Sequence, residues 1–91
     1  MIVNSFFDFM EKESGAGRRI PSKQIGLVCF GKVSGENLIE SGINFWIDNG
    51  FKINFRIKNT QAVSFVAQKE DNCFSVVIFK IDTLTVSCVK V

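Results

Sequence analysis

Histidine and tyrosine are absent from this chain, and proline occurs once. Losing histidine removes the commonest general acid and base. Cysteine is scarce: Cys29, Cys73 and Cys88 are odd in number and far apart. Metal-binding pairs sit close together, so a zinc site is not expected. Each thiol falls in an apolar stretch, where cysteine behaves as a small buried hydrophobe, and a reduced, cytoplasmic setting follows. No apolar run approaches the roughly 20 residues of a membrane helix, so no membrane partner is expected. The N-terminal MIVNSFFDFM lacks a basic leader and carries Asp8, unlike a signal peptide.

Charge of one sign is also lacking. A net charge of +2 does not by itself imply nucleic acid. No phosphate-binding loop, dinucleotide fingerprint, calcium loop or hydrolase elbow occurs. The carboxylates fall mostly at expected turns and on a helix surface, where solvated charges belong. No thiol has a neighbouring base in sequence to activate it. The expectation is a protein that is not an enzyme and needs no cofactor.

Apolar bulk is what the chain does have. Hydrophobic residues make up 46% of its 91 residues, and ten of them are phenylalanine. That length makes a single domain, 1–91, above the size at which disulfides or metals become obligatory. Burying one phenylalanine contributes about 1.5–3 kcal/mol against chain entropy, so a folded core is expected rather than disorder.

The most patterned stretch is 43–58, INFWIDNGFKINFRIK. Ile43, Phe45 and Ile47 alternate before Asp48-Asn49-Gly50, and Phe51, Ile53, Phe55 and Ile57 alternate after it. This reads as a β-hairpin. A two-residue Asn-Gly turn would put the two apolar rows on opposite faces. A three-residue loop with Gly50 in the left-handed position pairs Phe45 with Ile53 and unites them. That register places Trp46 beside Lys52 on the outer face, with Arg56 and Lys58 following.

Before this stretch, residues 5–8 (Ser-Phe-Phe-Asp) fit a capping pattern. Phe6, Phe9 and Met10 then recur at helical spacing, giving a short N-terminal helix that stops at Gly15. Residues 15–23 form a basic loop containing Arg18, Arg19 and Lys23. It reads as a solvated linker, and its glycines make only a weak case for a phosphate cradle. Residues 24–33 read as a strand. Residues 34–42 suit either a hairpin, slightly favoured, or a short helix.

Three more strands follow, over 62–69, 73–81 and 84–91, after loops at 59–61, 70–72 and 82–83. Carrying the hairpin phase forward points Val63, Phe65, Ala67, Val77, Phe79, Val86 and Cys88 inward. The fold class is thus α+β: a short N-terminal helix, then a five- or six-stranded antiparallel β-meander, as an open sheet or a small barrel. Val66, Phe74, Val76, Ile78, Val89 and Val91 form a second apolar face, either covered by folding or left for a partner.

Two binding roles are compatible with this pattern. The favoured one is a small protein-binding module: an inhibitor, an immunity or antidote-type neutraliser, or an adaptor. Trp46 and Arg56 would be its anchors, and a homodimer through the apolar face or an edge strand is one form it could take. The alternative is single-stranded nucleic-acid binding through Trp46, Lys52, Arg56 and Lys58, with Arg18 and Arg19 on the loop. Residues 15–32 carry +4 and residues 51–58 carry +3, so the positive charge is segregated.

Overall fold

The computed structural model describes residues 2–15, 19–21, 27–32 and 37–91, with backbone alone for 19–21 and 27–32. Of the expected basic loop, 16–18 and 22–23 lie outside these residues, Arg18 and Lys23 among them, and Arg19–Pro21 is strand, not loop; the expected first strand, 24–33, is described over 27–32, where it is strand.

Helix α1 spans Ile2–Ser14, and its buried residues Val3, Phe6, Phe7 and Met10 recur every three or four positions. That stripe commits one helix face to the core. It begins at Val3, so Ser5 and Asp8 lie inside the helix and not at its cap, a correction to the sequence reading. Gly15 ends α1 as expected, at φ +66° with its N–H donating to the Lys12 carbonyl.

The central hairpin does not form. Residues Leu38–Asp48 are instead a second helix, α2, burying Leu38, Ile39, Gly42, Ile43 and Trp46. Those positions follow the 3.6-residue period. The alternation of Ile43, Phe45 and Ile47 coexists with it but leaves Ile47 half exposed. The helix also settles residues 38–42 against the hairpin reading. Gly50 does take a positive φ, +86°, but it closes a helix. Its N–H donates to the Ile47 carbonyl at 3.0 Å, and the Phe51 N–H donates to the Trp46 carbonyl at 2.9 Å. These are the two bonds of a Schellman ending. Its customary apolar contact is the Phe51 ring, 4.9 Å from Trp46 and edge-on to it.

Four strands then form an antiparallel meander: β3 (Lys52–Lys58), β4 (Ala62–Lys69), β5 (Asn72–Lys80) and β6 (Thr83–Lys90). Asn59 shapes the β3–β4 turn, its Oδ1 accepting from the N–H groups of Gln61 and Ala62. Beyond β6, the backbone of β2 (Leu27–Lys32) runs antiparallel with Val28 opposite Val86. The backbone of β1 (Arg19–Pro21) lies beside β2 in turn. The four-stranded sheet is open, not a barrel, and β3 is one edge.

The register departs from expectation by one residue at two turns. Glu70-Asp71 is a two-residue turn with Glu70 at φ +56°, which pairs Phe65 with Val76 and Val63 with Ile78. Val76 and Ile78 therefore face the core, while Val77 and Phe79 face away. The next turn shifts by one again, setting Val86 against Ile78 and Cys88 against Val76. The two shifts cancel, so β6 keeps its expected face while β5 is inverted; β3 is also inverted beyond Asn54, where Ile57 pairs with outward Ser64 and Lys58 with buried Val63, against the expected register.

Both helices pack on this one face. Trp46, Phe6, Phe65, Met10, Ile43, Ile78 and Leu84 are among the fully buried residues there. Phe6 lies 5.2 Å from Trp46 and 5.3 Å from Phe45, ring centre to ring centre. Such aromatic pairs add about 0.5–1.5 kcal/mol each beyond their buried area. Ile53 and Ala67 pair on the helix side. Phe45 reaches the same core from α2, as a helical residue rather than a strand partner.

Candidate functional site

The sequence-derived cluster is not assembled. Trp46 has no solvent exposure and sits at the centre of the core, so it neither stacks on Lys52 nor presents itself to a ligand. Its indole lies 5.3 Å from Phe74, and its buried Nε1 has no hydrogen-bond partner among the described residues. Lys52 and Arg56 are exposed on β3. Lys58 forms an ion pair with Glu40 of α2, which offsets its charge. Arg19 belongs to β1, and Arg18 falls outside the described residues.

Two other features stand out. The first is the sheet face turned away from the helices. Side chains alternate across a strand, so the partners of the buried row define it. On β4 it carries Ala62, Ser64, Val66 and Gln68. On β5 it carries Cys73, Ser75, Val77 and Phe79, and on β6 Thr85, Ser87 and Val89. None of these side chains is charged. Val77, Phe79 and Val89 are 37%, 42% and 43% exposed. Val66 and Val89 were legible as second-face residues; Val77 and Phe79 were not, because the expected register inverted β5.

At the β3 edge this face meets a bulge. Asn54 pairs with Val66 and Ile57 with Ser64, so Phe55 and Arg56 together oppose one residue. Phe55 holds φ +53° and is 83% exposed, and Ile57 is 76% exposed. A bulky residue at positive φ is uncommon and costs on the order of 1 kcal/mol or more. Phe55 recovers none of that through burial within the chain.

The second feature is a cleft on the helix side, with a volume of about 660 Å³. It opens between the start of α1, the Asn49–Phe51 corner, the β4–β5 turn and the ends of β5 and β6. Val3, Phe7, Phe51, Phe74 and Cys88 line it, with Lys69 and Lys90 among its polar residues. Burial pushes the Cys88 thiol up to about 12, so it is a neutral wall and not a nucleophile. The cleft depends on how α1 and α2 meet the sheet end, and no local pattern announces it.

Among the described residues, no three of the Cys, Asp and Glu side chains cluster as a metal site would require. No described helix is long and apolar enough to cross a membrane. Comparison of the chain with protein-family models, curated proteins and solved structures found no match.

Proposed function

We propose that this chain is a non-enzymatic protein-binding module, of the inhibitor, neutraliser or adaptor kind, that docks through the helix-free face of its sheet. The observation that carries this reading is the charge-free surface of β4, β5 and β6. A lone antiparallel sheet face normally alternates toward polar and charged side chains when water is its neighbour. Here Val77, Phe79 and Val89 are interspersed only with serines, threonine and other uncharged groups. Depletion of charge with retained apolar and aromatic groups is the compositional mark of an interface core. Phe55, Ile57 and Arg56 at the β3 edge add an aromatic, an aliphatic and a cationic anchor. In this reading β2 and β1 continue the same sheet beyond β6, bringing it to six strands. A cytoplasmic partner suits thiols that stay reduced.

The test is a Val77→Lys, Phe79→Lys double variant. Both side chains are part-exposed, so the fold is expected to persist by circular dichroism. The partner that co-purifies with the wild-type chain, whether another protein or a second copy, should be lost. Light scattering distinguishes those two partners. Undiminished association by the variant overturns the reading.

A second reading, single-stranded nucleic acid along β3, draws on one observation: exposed Phe55 stands beside Arg56, with Lys52 on the same strand. Phe55 would take the stacking role that buried Trp46 is unable to fill. Oligonucleotide affinity that falls steeply with salt and is lost in Phe55→Ala supports it; salt-insensitive or absent binding removes it.

A further inference from the structure

We propose that the cleft beneath α1 binds an amphipathic anion, a hydrocarbon tail with a single carboxylate or phosphate head. The site lies on the helix side of the sheet, so it stands or falls independently of the partner face.

Its volume of about 660 Å³ lies within the roughly 300–1,000 Å³ of small-molecule sites. Val3, Phe7, Phe51, Phe74 and Cys88 give it an apolar interior, which excludes a fully polar ligand. The charged groups at its mouth are unbalanced: Lys69 and Lys90 face a single acid, Glu70. Lys69 is anchored there, its Nζ donating to the Asn49 carbonyl at 3.2 Å and standing 5.8 Å from the centre of the Phe51 ring. Register sets Lys90 opposite Phe74, so the second cation also springs from the apolar wall. The first turn of α1 borders the cleft and carries no acidic residue of its own, so the positive end of its dipole adds to the attraction for an anion. Cations at the rim of an apolar slot complement an anionic head on an apolar tail.

Trp46 makes the proposal measurable. It is the only tryptophan and touches two walls of the cleft, Phe51 at 4.9 Å and Phe74 at 5.3 Å. The full chain is titrated with dodecanoate, dodecyl phosphate, dodecanol and dodecyltrimethylammonium, each below its micelle concentration. Tryptophan emission and native mass spectrometry are read together. Expected is a one-to-one adduct with dodecanoate or dodecyl phosphate, the tighter of the two identifying the head. Dodecanol should bind at least about tenfold more weakly, and the ammonium weaker still. The Lys69→Gln, Lys90→Gln double variant changes only surface side chains. It should weaken the anions by about tenfold, the scale of one charge-assisted hydrogen bond, and leave dodecanol unchanged. Equal binding of alcohol and anion, unchanged affinity in the double variant, or no adduct at all overturns the proposal.

Discussion

Replacing Gly42 with alanine tests whether α2 truly lies against the sheet. A Cβ built there meets Ile78 Cδ1 at 2.3 Å and Met10 Sδ at 3.3 Å. In an exposed helix interior, glycine to alanine gains about 1 kcal/mol. Here the added methyl enters a fully packed site, where overpacking costs about 1–3 kcal/mol. The net expectation for Gly42→Ala is a loss of up to about 2 kcal/mol. Ile78→Val removes the colliding Cδ1 and alone costs about 0.5–1.5 kcal/mol. Combined, the new methyl fills the space the old one left, and the helix gain reappears. The double variant should lie within about 1 kcal/mol of wild type, giving a coupling energy of about 1 kcal/mol or more. Urea unfolding followed by Trp46 emission and far-ultraviolet dichroism reads all four proteins, provided the m values agree. Additivity within about 0.5 kcal/mol would mean Gly42 and Ile78 do not touch, and the two-layer packing would fail with it.

Trp46→Phe deletes a buried N–H that has no partner among the described residues, an omission worth about 1–3 kcal/mol, while leaving a cavity of similar cost. Its unfolding free energy in urea should therefore change by less than about 1 kcal/mol, against about 3–5 kcal/mol for Trp46→Ala. Cys88 supplies a pH test, because its thiol rises from 9.0 to about 12 on folding. Below pH 9 it is neutral in both states and stability is unaffected. Above that, the unfolded chain ionises first, so stability falls as pH climbs toward 12, by up to about 1.4 kcal/mol per pH unit. Cys88→Ala should show a shallower alkaline decline than wild type in otherwise matched melts. Alkylation mapped by mass spectrometry at pH 8 should find Cys88 slow in the folded chain and fast in urea, its thiolate population being lower by about a thousandfold in the folded state.

Much of the fold was readable where one period dominated. The helical stripe through Phe6 and Met10, the Gly15 stop, and β4 over Ala62–Lys69 follow directly from spacing. The failure at 43–48 has a specific origin. Ile43, Phe45 and Ile47 satisfy a strand, while Leu38, Ile39, Gly42, Ile43 and Trp46 satisfy a helix, and the shorter window favoured the strand. Gly50 did not discriminate, since a bulged hairpin loop and a Schellman ending both require positive φ. From that one choice came the outward Trp46, and with it the site built around it. The inverted β5 arose separately, from a turn one residue shorter than assumed. An acidic residue at positive φ, Glu70, gave no warning of it. The open face and the cleft are properties of packing between distant segments, which local patterns do not encode.

The kink at Phe55 also limits how copies of this chain can join. Between Asn54 and Ile57 the ladder of β3 is broken, so an incoming strand would find only short lengths of continuous donors and acceptors. End-to-end growth into a fibril is discouraged at that border.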